Sequence, residues 1–163
     1  MTITTTVVKV GIADLKVTKI PNTLKTSGLG SCVGVVIFDH KVAGLAHVML
    51  PDSTASKKGI QNEMKYADTA IDILIELLIN EGARRNRLKA KIAGGAHMFS
   101  FQSDNNMLKI GDRNVEAVKT KLAKNRIAVI SEDVGGNKGR TIVFDIEKGM
   151  LEVRTVNSGV SEI

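Results

Sequence analysis

The spacing of apolar and polar positions near the N-terminus predicts short strands. The opening segment, VVKVGIADLKVTK, alternates loosely and predicts one or two strands. Two apolar runs follow, residues 32–38 and 42–50, and only Asp39, His40 and Lys41 separate them. Two apolar runs on either side of such a short polar break are typical of a β-hairpin.

Beyond residue 60 the apolar positions recur at steps of three and four, which predicts a helix. This stripe consists of Met64, Ala67, Ile71, Leu74 and Leu78. Gly82 stands where a helix of this kind stops. Farther along, Asp112 is predicted to cap a second helix, whose apolar stripe is Val115, Val118 and Leu122.

The remaining apolar segments predict strands. RLKAKIAGG is predicted to be a strand ending in a glycine pair, and RIAVISED, GRTIVFDI and GMLEVRTV predict three more, the last two joined by a short loop at Gly149. The GGNKGR segment lacks the G-K-[ST] ending of a phosphate loop, so we interpret it as a turn before a strand, one that could shape a site. About eight strands and two main helices in irregular order predict an α+β fold, with mixed or antiparallel sheets and helices on one face.

Composition narrows the class of protein. A chain of 163 residues with 43% hydrophobic and 25% charged residues suits one globular domain, so we expect a single domain over residues 1–163. Tryptophan is absent and there is one cysteine, so the core is aliphatic and no internal disulfide forms. No signal peptide and no apolar run of about 20 residues is apparent, and we expect a cytoplasmic protein without membrane insertion.

The net charge of +6 raises the question of nucleic acid as a partner. The basic residues are spread along the chain, and two of their local groups lie near predicted helix ends, where cations are favourable. We therefore favour a solvated basic face, with steering toward an acidic protein partner as an alternative. A basic nucleic-acid binder is the weakest interpretation, because neither RNP-like aromatics nor zinc-finger spacing is present.

The only cysteine, Cys32, precedes the first strand of the predicted hairpin, and His47 lies in the second strand. With a two-residue turn at Asp39–His40, Cys32 stands directly opposite His47, with Cβ atoms about 4.5–5.5 Å apart on one face. A loop one residue longer would place the two side chains on opposite faces unless a bulge restored the phase. The spacing is therefore compatible with a thiol–imidazole pair.

Such a pair has a chemical rationale. A free thiol is mostly protonated at neutral pH, and an adjacent imidazole can accept its proton. The glycines before Ser31 allow close backbone approach, so N–H groups near Ser31 and Cys32 could bind an oxyanion. Thr26 could orient the imidazole through its second nitrogen. The alternative is an inert buried cysteine and a histidine satisfied within the core.

Six segments in order along the chain carry a resemblance to a known family. They are GLGSCVGVVIFD, AHVMLPDS, KYADTAI, AKIAGGAHMF, IGDRNVEAV and EDVGGNKGRTIVFDIEKGMLEVR. From about Ile12 to Arg154 the sequence resembles the CheD family, the chemoreceptor glutamine deamidases of bacterial and archaeal chemotaxis.

The resemblance implies a Cys-His-Thr site at Cys32, His47 and Thr26. It implies hydrolysis of receptor glutamine side chains to glutamate with release of ammonia, through a thioester, and a layered sandwich similar to the deamidating domain of cytotoxic necrotizing factor toxins. No metal or organic cofactor is implied. The implied partners are the cytoplasmic helical region of chemoreceptors, as substrate, and CheC, a phosphatase of phosphorylated CheY. Ser31 flanks the nucleophile and either binds the substrate amide or satisfies local backbone as a turn hydroxyl.

Other candidates are weaker. His97 follows a glycine pair and either lines a groove or lies in a surface loop, and His40 is interpreted as a turn residue. Three methionines, Met49, Met64 and Met98, either form an adaptable binding patch or fill the core, and we favour the core. One cysteine and three histidines without H-E-x-x-H or C-x-x-C spacing make a metal site improbable. A regulatory module that docks CheC, with its chemistry secondary, remains the main alternative to an enzyme.

Overall fold

The computed structural model describes residues 4–55, 62–98 and 109–163, and within them it contains ten strands and two α-helices. The strands are β1 (Val7–Lys9), β2 (Leu15–Lys19), β3 (Thr23–Leu29), β4 (Val33–Phe38), β5 (Val42–Val48), β6 (Lys89–Gly94), β7 (Ala128–Val134), β8 (Arg140–Asp145), β9 (Met150–Thr155) and β10 (Gly159–Glu162). The helices are α1 (Ala67–Asn80) and α2 (Ile110–Lys124). Three short 3₁₀ turns cover Ser53–Ala55, Glu63–Lys65 and Arg85–Arg87.

The strands form two five-stranded sheets. The first sheet has the order β1-β3-β8-β9-β10 and the second has the order β2-β5-β4-β6-β7. The pairs β1–β3 and β6–β7 are parallel and the other pairs are antiparallel. The predicted α+β class with mixed sheets is therefore confirmed. The described strands number ten rather than about eight, because β3 and β10 were not predicted.

Two apolar cores separate three layers. The first core lies between the sheets and includes Leu24, Val36, Leu45 and Phe144. The second lies between the second sheet and the two helices, and α1 contributes to it the side chains of Ala67, Ala70, Ile71, Leu74, Ile75 and Leu78. The second sheet is thus covered on both faces, which explains why its central strands β4 and β5 are apolar at nearly every position.

Both predicted helices form, but each begins at a residue other than the predicted one. Met64 lies in a 3₁₀ turn before α1 rather than in the helix, and Gly82 follows the helix end with φ +104°, as the stop signal predicts. The prediction that Asp112 caps the second helix is wrong. Helix α2 begins at Ile110, its N-cap position is Lys109, and Asp112 lies in the first turn, where its charge still suits the helix dipole.

The hairpin of β4 and β5 is confirmed, but its predicted register is wrong. Asp39 belongs to the ladder, since its N–H donates to Val42 O at 2.9 Å, and the turn is therefore His40–Lys41. The Asp39 carboxylate accepts from the His40 N–H and so stabilises this turn. Gly34, not Cys32, lies opposite His47. The shift is two residues, an even number, so the face on which each side chain lies is preserved.

None of the helices in the described ranges combines the length and apolar character that crossing a membrane requires.

Candidate active site

The two sheets meet at a buried pair of polar side chains, Thr26 and His47. Thr26 lies on β3 in the first sheet and His47 on β5 in the second, and both are almost fully buried. The Thr26 Oγ1 and His47 Nδ1 atoms are 2.8 Å apart. Thr26 Oγ1 also donates to Val10 O at 2.8 Å. The predicted contact between these two side chains is therefore present.

The hydrogen bonds around Thr26 fix the tautomer of His47. A threonine hydroxyl has one proton, and that proton is directed at Val10 O. Thr26 Oγ1 must then accept the bond from His47, so Nδ1 carries the ring proton. The other ring nitrogen, Nε2, is left with a free lone pair. It is buried and has no hydrogen-bond partner in the part of the chain that the structure describes.

The backbone of His47 is held in register by β4 on one side and by the residues directly before β2 on the other. On one side it pairs with Gly34 of β4. On the other side its N–H donates to Asp14 O at 3.0 Å, and its carbonyl accepts from the Ala13 N–H at 3.1 Å. The imidazole thus has little freedom, since its backbone and its Nδ1 atom are fixed independently. Burial lowers the pKa of His47 to about 4, so the ring is neutral at pH 7.

Cys32 stands where the chain crosses from the first sheet to the second, between β3 and β4. It is half-buried and packs against the core between the sheets, the same layer that holds the Thr26–His47 pair. Two positions separate it from Gly34, so Cys32 is diagonal to His47 rather than opposite to it, and the predicted hydrogen bond between the thiol and the imidazole is not formed in this structure. Being half-buried, Cys32 is therefore not sealed in the interior. Burial raises the pKa of the Cys32 thiol, and a hydrogen bond from its own backbone N–H opposes that shift.

A glycine in β6 allows the loop before β4 to lie close to the sheet. Gly94 has φ +115°, and a Cβ atom there would stand 2.3 Å from Cys32 O. The next residue, Gly95, donates its N–H to Cys32 O at 2.8 Å, and the Ala96 N–H donates to Gly30 O at 2.8 Å. We call residues 30–32, which include the candidate nucleophile Cys32, the nucleophile loop. Gly95 and Ala96, directly after β6, therefore hold this loop by donating to two of the loop's carbonyl groups.

Arg140 connects the GGNKGR turn to the same glycine pair. The guanidinium is buried and forms an ion pair with Asp133, with Nε 2.9 Å from Oδ1. It also donates to Gly135 O at 2.9 Å and to Gly94 O at 3.4 Å. The prediction that this segment is a turn before a strand is confirmed, and its contacts lead to the nucleophile loop through Gly94.

The other sequence candidates have varied positions. His40 lies in the hairpin turn as predicted, and its Nδ1 is 2.6 Å from Asp39 Oδ1. His97 is partly exposed, with Nε2 3.0 Å from Asp112 Oδ1. Met64 packs against the helix-side core, whereas Met98 is 47% exposed and contacts Gly30, so core filling does not describe it. No group of three metal-ligating side chains occurs within the described ranges.

Sequence reasoning did not identify Asn114. This residue of α2 is fully buried, and its Nδ2 donates to Ser31 O and to Met49 O, both at 3.0 Å. A signal was present, because Asn114 precedes Val118 and Leu122 by steps of four and so lies on the buried face of the helix. A polar side chain at such a position requires internal hydrogen bonds.

Comparison with known proteins agrees with the resemblance. The sequence profile of the CheD family, described as CheD chemotactic sensory transduction, matches residues 49–155. The chain is 58% identical over 159 residues to the chemoreceptor glutamine deamidase CheD of Halalkalibacterium halodurans, which covers 96% of this chain and 98% of that protein. It is 54% identical to the chemoreceptor glutamine deamidase CheD of Bacillus subtilis (strain 168), covering 96% of each chain.

A more distant relative, the probable chemoreceptor glutamine deamidase CheD of Clostridium novyi, is 50% identical over 96% of this chain and 97% of its own. The profile match begins beyond His47, so Thr26, Cys32 and His47 lie outside it. The relatives nevertheless align over nearly the whole of this chain and of their own lengths. By sequence and over nearly its full length, this chain belongs to the CheD family.

Proposed function

We propose that this protein hydrolyses the side-chain amide of glutamine residues in chemoreceptors, with Cys32 as nucleophile, His47 as general base and Thr26 as the residue that orients the imidazole. The observation that carries the proposal is the Thr26–His47 hydrogen bond, whose direction leaves Nε2 as the free basic atom. The names of the full-length relatives support the substrate class. Neither a metal nor an organic cofactor takes part in the proposed route.

The proton transfers follow from the protonation states of the resting groups. Burial raises the pKa of the Cys32 thiol and lowers that of His47, so both groups are neutral at pH 7. The thiol therefore loses its proton during attack rather than before it, and Nε2 receives that proton as the S–C bond forms. Thr26 Oγ1 stabilises the resulting imidazolium by accepting from Nδ1–H.

The tetrahedral intermediate then collapses in the direction of hydrolysis. The Nε2 proton moves to the amide nitrogen and the C–N bond breaks. Ammonia is released, and a thioester between Cys32 and the glutamyl side chain remains. A water molecule gives a proton to Nε2 and attacks the thioester carbonyl, which releases glutamate and the thiol. The Cys32 N–H is our candidate donor to the oxyanion in both steps, and Ser31 is our candidate for holding the substrate amide.

The partial exposure of Cys32 is compatible with a protein substrate. Cys32 is half-buried, whereas the His47 imidazole is shielded from water, so in our proposal a glutamine side chain reaches the thiol while the base stays desolvated. The cytoplasmic helical region of a receptor presents such side chains on its surface. CheC remains the proposed regulatory partner, and it would dock over the same thiol.

The test is incubation with a receptor cytoplasmic fragment, followed by mass-spectrometric mapping of glutamine-to-glutamate conversion. We expect conversion with the native chain and none with Cys32→Ala. Thr26→Val should lower kcat about 10- to 100-fold, because Nδ1–H loses its acceptor, and Thr26→Ser should restore most of it. Conversion by Cys32→Ala would contradict the proposed nucleophile. Capture of CheC by a native chain that converts no glutamine would instead favour the docking role.

A further inference from the structure

We infer that Asn114 is a positioning residue for the proposed reaction, whose side-chain amide fixes the nucleophile loop relative to the strand that carries His47. This inference rests on the proposed function for its effect on turnover. Its structural part, an effect on the chemical environment of Cys32, can be tested without any substrate.

The contacts of Asn114 join the two halves of the site. Its Nδ2 donates to Ser31 O, directly before Cys32, and to Met49 O, just beyond His47, each at 3.0 Å. Both protons of the amide nitrogen are used, one on each carbonyl. Two carbonyl oxygens face this nitrogen. The amide group cannot be flipped by 180°, because Oδ1 would then face two hydrogen-bond acceptors. One side chain of α2 therefore sets the distance between the loop and the end of β5.

The nucleophile loop depends on this contact for its middle carbonyl. Gly95 N–H binds Cys32 O and Ala96 N–H binds Gly30 O, so backbone groups just beyond the end of β6 hold the first and last carbonyls. Among the contacts of the described residues, Ser31 O is held by the Asn114 side chain. Without that bond, the peptide between Ser31 and Cys32 can rotate, and this is the peptide that carries the Cys32 N–H.

The position of α2 is itself closely defined. A Cβ atom at Gly111, in the first turn of α2, would stand 2.6 Å from both Gly95 O and Ala96 O. The helix backbone therefore packs directly on the segment that binds the loop. Asn114 extends from a fixed helix, and a fixed helix is what a positioning side chain requires.

Stability alone does not account for an asparagine at this position. The residue is fully buried, and its Oδ1 has no hydrogen-bond partner within the described part of the chain. A buried acceptor without a partner destabilises a fold, so an apolar side chain of the same shape would avoid that loss. What the apolar side chain could not do is donate to Ser31 O and Met49 O.

The decisive variant is Asn114→Leu, which keeps the branched shape of the side chain and removes both donors. Its matched control is Val118→Ala, which creates a cavity one turn farther along the same buried face of α2, in the helix-side core. Because the chain has a single cysteine, iodoacetamide reports on Cys32 alone. The measurements are kcat and KM on a receptor fragment, and the alkylation rate of the folded protein between pH 5 and 10.

For Asn114→Leu we expect kcat to fall about 10- to 100-fold with KM within about twofold, because displacement of a reacting group by a fraction of an ångström weakens the transition state more than substrate binding. We also expect the midpoint of its alkylation profile to move. Val118→Ala should lower the denaturation midpoint and leave kcat and the alkylation profile of the folded protein as in the native chain.

Native kcat and a native alkylation profile in Asn114→Leu would overturn the inference, as would equal effects in Val118→Ala. Asn114→Ala, which removes both donors without adding bulk or charge, provides the same test if the leucine variant does not fold. If the native protein converts no receptor glutamine, the proposed function fails, and the alkylation profile alone still decides the role of Asn114.

Discussion

Burial acts on Cys32 and His47 in opposite directions, and the result is a neutral pair. It raises the pKa of the thiol and lowers that of the imidazole, because in each case the charged form loses hydration. A preformed thiolate–imidazolium pair is therefore disfavoured in the free protein. The thiol resists adventitious oxidation in this state, since the thiolate is the reactive form. In the proposed reaction, the thiol is activated only when a substrate carbonyl group is attacked by the sulfur while Nε2 accepts the proton.

The lowered pKa of His47 predicts a specific loss of stability in acid. The pKa is about 4 in the folded protein and 6.5 as the ordinary value, so between these two values the unfolded chain binds more protons than the folded one. The free energy of unfolding should therefore fall as the pH drops from 6.5 toward 4, by up to about 3 kcal/mol from this residue. Urea denaturation across this range measures the slope.

His47→Gln is the control, since glutamine does not titrate. The other titrating groups contribute nearly equally to both proteins, so the difference in unfolding free energy between the native chain and the variant isolates the contribution of His47. A difference that stays constant between pH 6.5 and 4 would contradict the burial of a neutral imidazole.

At the scale of elements, the site depends on a close approach between β6 and the nucleophile loop. Gly94→Ala should destabilise the fold by about 3 kcal/mol or more, because its Cβ would meet Cys32 O at 2.3 Å in a strained backbone region. Gly149→Ala is the matched control. It also has positive φ, +65°, but open space around the site of the new Cβ, so only backbone strain of about 1–2 kcal/mol is expected.

Chemical denaturation measures both variants, and alkylation of Cys32 shows whether the loop has moved. Gly94→Ala should change the alkylation rate of the folded protein, whereas Gly149→Ala should not. Equal destabilisation by the two substitutions would show that backbone strain, and not the contact with Cys32 O, governs Gly94.

The elements that the sequence predicted well are those with a continuous apolar pattern. Both helices, the β4–β5 hairpin and the strands from β6 to β9 have such patterns. In β3, TLKTSGL, glycine and polar residues interrupt the pattern because Thr26 faces a polar partner across the sheets. All residues of β10 are exposed, so no apolar alternation marks it. Helix α2 begins earlier than Asp112 because Lys109 takes the N-cap position without a side-chain bond.

At the scale of the whole molecule, the proposed site is a product of how two sheets pack. The predicted hairpin placed Cys32 and His47 on the same face of the sheet. The observed register differs from the predicted one by two residues, and a shift by an even number leaves both side chains on that face. The sequence indicated Thr26 as a partner of His47, but no local pattern indicated that the two residues lie in different sheets, because inter-sheet contacts depend on the full arrangement of strands. The same limit applies to Asn114, whose partners lie 83 and 65 positions away along the chain.

The packing between the sheets should therefore control activity more than packing elsewhere. Ile142 pairs with Thr26 in the first sheet, and a Cβ placed at Gly34 would stand 2.6 Å from its Cδ1. This Cδ1 methyl group fills the space beside Gly34, the residue that lies opposite His47. Ile142→Val removes it, and we expect a loss of about 0.5–1.5 kcal/mol in stability together with a several-fold fall in kcat.

Ile71→Val removes the same methyl group from an equally buried isoleucine on the helix side of the second sheet. Its stability should fall by a similar amount, because the chemical change and the burial are the same, while kcat per folded molecule should stay native. Denaturation midpoints and glutamine conversion rates on one receptor fragment compare the two variants directly. If kcat fell equally in both, activity would follow overall stability, and the spacing between the sheets would have no separate role.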